Sequence, residues 1–135
     1  MKQVITGLFL TVSLFVNAQI VNITYVTVPR ENSETFLELH EKFMNLSNSE
    51  ERTITQSAIF AHAFAGDYTF AIYDSYNNMQ DLVNDAALAN EAMKNNVDTM
   101  ELDADAKELL MDEYRNYSGM YAYNHSDQIR QNIGL

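Results

Sequence analysis

Two apolar runs, residues 54–65 and 68–74, flank Gly66-Asp67, and no other feature constrains this chain as tightly. Both runs are rich in residues that suit a pleated, half-buried surface. Gly tolerates the positive φ of a tight hairpin turn, so the two runs are expected to pair as strands. A two-residue loop sets Ala65 against Tyr68, Ala63 against Phe70 and Ala61 against Ile72 on one face. On the other it sets Phe64 against Thr69, His62 against Ala71 and Phe60 against Tyr73. Large opposes small throughout, as cross-strand packing asks. Both faces of this hairpin are apolar, whereas a sheet with one wet face alternates apolar with polar. A helical layer covers only one face. The other wants a second layer, and an identical sheet is the simplest supply, so a homodimer is expected.

The flanking sequence supplies the other elements. Residues 20–28 read as a strand of Ile, Val, Thr and Tyr that Pro29 ends. A helix starts near Asn32 or Ser33, with Phe36, Leu39, Phe43 and Leu46 at helical spacing. After the hairpin, Asn77 with Gln80 three residues on is a capping-box variant. It opens a helix whose apolar stripe is Met79, Leu82, Val83, Ala86, Met93 and Val97. A further helix starts near Asp103, carries Leu109, Leu110, Tyr114 and Tyr117, and is expected to stop at Gly119. Residues 120–125 then read as a short, Tyr-rich fourth strand. The order β-α-β-β-α-(α)-β is the split βαβ, or ferredoxin-like, α+β pattern with an antiparallel sheet.

The N-terminus points to export. Lys2 is followed by an almost wholly apolar run over residues 5–16, and no further charge appears before Arg30. A bilayer span needs about 20 apolar residues, so the run is short for an anchor and fits the core of a signal peptide. Val16-Asn17-Ala18 offers the cleavage site, which leaves residues 1–18 as a leader and 19–135 as a single domain beginning at Gln19. The ending resembles that of exported Gram-negative proteins, and the expected location is periplasmic or extracellular. No Cys follows the cleavage site, so a lipoprotein anchor is excluded, and the mature chain is expected to have no membrane attachment. With no Cys anywhere, disulfide frameworks and thiolate metal sites are excluded too. The whole chain carries a formal charge of −11, and loss of Lys2 makes the remainder more acidic still. Phosphate backbones and anionic lipid heads would repel it, so no nucleic-acid partner is expected.

The strand ending in Val28-Pro29, the Phe36/Leu39/Phe43 helix, the Gly66-Asp67 hairpin and the helix begun at Asn77 together resemble the dimeric α+β barrel proteins. That group includes the antibiotic-biosynthesis monooxygenase-like and NIPSNAP-like domains, and the resemblance covers most of residues 20–125. It implies a sheet-to-sheet homodimer. Its members include cofactor-independent oxygenases, haem-degrading enzymes, isomerases and proteins of no known activity, so the fold does not fix a reaction.

Three histidines are the candidate chemical groups. His62 lies on an apolar strand face between Phe60 and Phe64, with Ala71 and Tyr73 nearby. A small neighbour leaves room for a ligand beside the imidazole, or for another side chain. His40 sits within the arc of Phe36, Phe43 and Met44 and should point toward the sheet. There it could meet His62 or a Tyr as an acid–base pair, or lie at the edge of the stripe with its tip in solvent. His125, placed at the end of the last strand, has Asp127 within reach to orient its ring, although a polar exit from the sheet explains it as well. No His-x-x-x-His, His-Glu-x-x-His, Gly-rich phosphate loop or serine elbow is present, and neither a metal nor a cofactor is expected. The functional expectation is an exported enzyme or binder of a small apolar ligand, with a pocket between sheet and helices. His62 and His40 would be its catalytic groups, and Phe60, Phe64, Ala71, Tyr73 and His125 its lining. The alternative is a non-catalytic periplasmic protein acting through its dimer or another protein partner.

Overall fold

The protein's structure is a computed structural model that describes residues 19–62 and 67–132. In chain order the described elements are β1 (Ile20–Val26), a single 3-10 turn (Arg30–Asn32), α1 (Ser33–Leu46), β2 (Ile54–Ala61), β3 (Phe70–Tyr76), α2 (Met79–Thr99), α3 (Ala104–Tyr123) and β4 (His125–Gln131). The strands form one antiparallel sheet in the order β2-β3-β1-β4. This is the expected ferredoxin-like α+β arrangement, and within one chain the sheet is open. Among the described residues, no helix is long and apolar enough to cross a membrane.

The helical layer covers one sheet face because α1 presents Phe36, Leu39, His40 and Phe43 at positions i, i+3, i+4 and i+7. Phe36 stacks on Phe70 at 5.2 Å between ring centres, and with Val26, Val28 and Ile72 it makes the first core cluster. Leu39, Phe43 and Leu110 make a second one between the helices, with Met93, Val97 and Tyr114 packed around it.

Several element boundaries differ from the sequence expectation, each for a local reason. The first strand ends at Val26, two residues early, because Val28 N–H donates to the Thr69 hydroxyl (3.0 Å), which in turn donates to the Val28 carbonyl (2.8 Å). The same threonine donates its N–H to the Val26 carbonyl at 2.8 Å, tying the start of β3 to the end of β1. That attachment also sets the hairpin register. Ala61 pairs with Phe70, Phe60 with Ala71 and Ile59 with Ile72, an offset of two residues from a tight Gly66-Asp67 turn. The last hairpin bond described runs from His62 N–H to the Thr69 carbonyl at 2.8 Å. Residues 63–66, including Ala63, Phe64, Ala65 and Gly66, lie outside the described residues. An even offset preserves side-chain facing, so the predicted faces survive along the described strands; Tyr68, which precedes β3, is the exception and stacks on His62 instead of sharing the face of Phe70.

The cap of α2 is Asn78, not Asn77: its side chain accepts from the Asp81 N–H at 2.9 Å. Asp103 caps α3 as expected, accepting from Ala106 N–H at 2.8 Å. Gly119 does not end that helix, which continues to Tyr123. A Cβ at Gly119 would meet nothing within 4 Å, so the glycine weakens the helix without turning it. Tyr114, Tyr117 and Tyr121 therefore belong to a helix, at the spacing that brings them over α1 and the sheet, and the fourth strand is the polar segment that follows them. β4 is exposed along its whole length.

The loop between α1 and β2 is fixed by a nearly dry ion pair. Arg52 and Asp85 have side chains only 7% and 6% exposed. Arg52 grips the carboxylate with Nε (2.8 Å) and Nη2 (2.6 Å), and its Nη1 donates to the Ser47 carbonyl at 2.8 Å. Asp85 also accepts from the backbone N–H groups of Thr53 (3.1 Å) and Ile54 (3.3 Å). Burial by itself would raise the Asp85 pKa, but the guanidinium bonds and charge prevail and hold it below the usual carboxylate range.

Candidate functional site

The strand registers sort the polar and apolar side chains of the sheet into two faces. Ile20, Asn22, Thr24 and Val26 of β1 lie level with Tyr76, Asp74, Ile72 and Phe70 of β3, and this face meets the helices. Val21, Ile23 and Tyr25 lie level with Ser75, Tyr73 and Ala71 on the open face. β2 adds Gln56, Ala58 and Phe60 to the open face, and β4 adds Ser126, Gln128 and Arg130.

A groove of about 430 Å³ runs along β2 and β3 on the open face. Phe60, Ala71 and Tyr73, three of the expected lining residues, come together here with His62, one of the two expected catalytic groups, and with Val21, Gln56, Ala58, Tyr68 and Ser75. The alanines make a low floor. Phe60 and Tyr73 meet edge to face at 5.4 Å on one side, and His62 stacks on Tyr68 at 4.5 Å with ring planes 18° apart. Tyr25 continues that stack against Tyr68 at 4.6 Å. His62 Nδ1 is buried and has no hydrogen-bond partner among the described residues. Phe60 is 56% exposed although large and apolar, which marks the rim of an uncovered surface. The groove lies on the face away from the helices, which corrects the expectation of a pocket between sheet and helices. The physical reason is that Phe36, His40 and the tyrosines of α3 fill the helix side.

His40 and His62 accordingly do not meet, because the sheet stands between them. His40 is buried, stacks on Phe36 at 5.9 Å, and bonds through Nδ1 to the Tyr117 hydroxyl at 2.9 Å. Of the two partners its sequence position allowed, a tyrosine is the one it finds. Burial lowers the His40 pKa and favours the neutral ring, while burial pushes the Tyr117 phenol up. His125 begins β4 instead of ending it. Its Nε2 lies 3.5 Å from Asp127 Oδ2 and its Nδ1 3.3 Å from the Ala122 carbonyl. It lines a second depression with Tyr25, Thr27, Asp67 and Tyr68, beside the main groove and sharing Tyr68 with it.

Sequence reasoning missed a polar cluster on the helix side. Thr24, almost wholly buried, donates to Asp127 Oδ1 at 2.5 Å and accepts from Asn22 Nδ2 at 3.1 Å. Asp74, level with Asn22, accepts from the Ser57 hydroxyl at 2.6 Å. Burial raises the Asp74 pKa, Ser57 opposes that, and the charges of Asp85 and Asp127 add to the rise. Tyr25, Tyr68, Gln56 and Ser75 were also missed as lining. Alternation along β1 was the available signal for Tyr25, whereas Tyr68 depended on the hairpin register. Among the described residues, no group of three or more His, Cys, Asp or Glu is placed to hold a metal ion.

Fold and site thus define an antiparallel ferredoxin-like α+β protein whose uncovered sheet face holds an aromatic-walled groove. No family profile and no curated protein matches the sequence. Solved structures do match the fold. An antibiotic biosynthesis monooxygenase-like protein from Nitrosomonas europaea is 20% identical, with a TM-score of 0.51 over 86% of this chain and 91% of that one. SnoaB, a cofactor-independent oxygenase from Streptomyces nogalater, is 5% identical, with a TM-score of 0.53 over 87% and 96%. An uncharacterized NIPSNAP-like domain protein from Burkholderia xenovorans is 9% identical, with a TM-score of 0.54 over 88% and 89%. The fold is the one shared by antibiotic biosynthesis monooxygenase-like and NIPSNAP-like proteins, as the sequence resemblance implied.

Proposed function

We propose that this chain is an exported small-molecule-binding or enzymatic protein that works as a sheet-to-sheet homodimer, with the groove beside His62 as its ligand site. The observation that carries the reading is the His62 ring itself. A buried polar atom with no partner is unfavourable by about 1–3 kcal/mol, and among the described residues Nδ1 has none, beside a groove of ligand size. A turn of the ring that brings Nδ1 to the groove would let a ligand atom bond it and remove the penalty. The similarity to a cofactor-independent oxygenase supports a small molecule as the class of ligand. The His62 imidazole would be the proton-transfer group of a reaction at this site.

Support for the dimer comes from charge placement as well as from apolar area. The chain holds 19 Asp and Glu. Of the strand residues, only Asp74 and Asp127 are acidic, and both lie level with helix-side residues. Among the described strand residues the open face carries no carboxylate, with Asp67 at its edge, so two acidic copies can approach along the strands with little like-charge repulsion. Closing one sheet on another would turn the groove into an enclosed site.

Sedimentation of the mature protein and of Phe60→Glu tests the assembly. A dimer is expected for the parent and a monomer for the variant, because each interface would bury an added carboxylate. A monomeric parent at micromolar concentration, or a variant that remains dimeric, counts against it.

A further inference from the structure

We propose that the protein carries a second site, for an uncharged saccharide, in the depression between α3 and the loop from β1 to α1. Three residues there contribute less to the fold than their positions allow. Gly119 lies inside α3, where glycine is the least favourable residue other than proline. A Cβ at that position would meet nothing within 4 Å, so no close packing requires the missing side chain. Asn32 holds the N-cap position of α1, yet its side chain makes no capping bond and no other hydrogen bond among the described residues. Tyr123 is 93% exposed and makes neither a ring contact nor a side-chain hydrogen bond among the described residues. All three line one depression of about 380 Å³. Departures from what local stability favours collect at functional sites, and the meeting of three in one place points to a ligand.

Helical spacing explains how they meet. Arg115, Gly119 and Tyr123 recur every fourth residue and so share one face of α3, with Asn116 beside them. The bare backbone at Gly119 leaves a low floor between the Tyr123 ring and the Arg115–Asn116 end, and Pro29 and Asn32 form the facing wall. An exposed ring with planar amides opposite is the arrangement a sugar can use. Its C–H face lies on the electron-rich face of the ring. Its neighbouring hydroxyls bond the donor and the acceptor of one amide together. The uncharged class follows from the lining. Arg115, its one charged residue, already donates to Asp112 at 2.5 Å, and no carboxylate lines the depression. The acidic chain as a whole repels polyanions. The depression belongs to the helical layer, which a sheet-to-sheet dimer leaves open, so this site stands or falls separately from the reading of the open face.

Affinity electrophoresis of the mature protein through gels containing dextran, mannan, xylan or a β-1,3-glucan tests the proposal. A labelled polyproline peptide, followed by fluorescence polarisation, probes the competing class of ligand for an aromatic-edged surface. The parent should be retarded by at least one polysaccharide. Tyr123→Ala should bind it about tenfold more weakly through loss of the stacking face, and Gly119→Leu, which fills the floor, should abolish the retardation. Thermal unfolding supplies a readout that needs no ligand. Gly119→Ala should raise the melting temperature by about 2–5 °C, and Asn32→Ala should leave it unchanged, whereas residues kept for the fold would lower it. Retardation by none of the four polysaccharides, or retardation that survives Gly119→Leu, overturns the proposal. So does polyproline binding that responds to these variants without any polysaccharide binding, and so does a lower melting temperature in Gly119→Ala or Asn32→Ala.

Discussion

Replacing Asp85 with alanine removes the counter-charge of a guanidinium that is almost out of water. Arg52 would keep its Ser47 carbonyl, but Nε and Nη2 would lose their acceptors, and so would the N–H groups of Thr53 and Ile54. With both side chains about 94% covered, the site has little access to solvent that could replace the carboxylate. Breaking a buried pair from one side costs about 3–5 kcal/mol, against a total stability of about 5–15 kcal/mol for a domain. Equilibrium urea unfolding of the mature protein, followed by far-ultraviolet circular dichroism, reads this directly. With a slope of about 1.5 kcal/mol/M, the midpoint should fall by about 2–3 M. The double variant Arg52→Met, Asp85→Leu should recover most of the loss, because no charge is then left unpaired. A loss below about 1 kcal/mol in Asp85→Ala, or a double variant no better than the single one, would refute the argument. Acid should act on the same pair. The folded Asp85 pKa lies below its unfolded value, so its contribution is present above the unfolded pKa of about 3.9 and is lost as pH falls through the folded one.

Asp74 should behave with the opposite sign, since its folded pKa is raised. Its contribution is favourable below the unfolded pKa and disappears as pH rises through the folded one. Asp74→Asn, which keeps an acceptor for Ser57, should therefore raise the urea midpoint at neutral pH, and an unchanged or lower midpoint contradicts this. His40, with its pKa lowered by burial, favours the native state when neutral. Stability should decline as pH falls from about 6.5 toward the folded pKa, and His40→Gln should flatten that part of the pH profile. Export is checked by mass spectrometry of the secreted or periplasmic form, which should begin at Gln19; retention of Met1 would contradict the leader assignment.

The element order was legible because each apolar pattern had one period. Phe36, Leu39 and Phe43 repeat as a helix, and the runs around Gly66-Asp67 as strands. Facing was legible too along the paired strands, since an even register offset leaves their side chains on the same side, although not for Tyr68 before β3. Phe60, His62, Ala71 and Tyr73 therefore share one sheet face, as local sequence implied, although the groove they line lies away from the helices. β4 was not legible: His125 to Gln131 has no apolar alternation, because the strand lies exposed at a sheet edge. Gly119 misled for the complementary reason. A glycine resembles a stop signal, yet packing of Tyr114, Tyr117 and Tyr121 across the helix decides that the helix continues.

What the sequence determined by itself was the set of periodicities, the charge and the absence of cysteine, all properties of neighbours in the chain. Tertiary structure decided the hairpin register, through Thr69 tied to Val28 forty-one residues away. It decided that His40 meets Tyr117 while His62 lies across the sheet with Tyr68. It also paired Arg52 with Asp85, two residues whose separation gives no sign that they touch. Such contacts depend on how whole elements pack, and packing is settled by the summed burial of many side chains, which no short window of sequence contains.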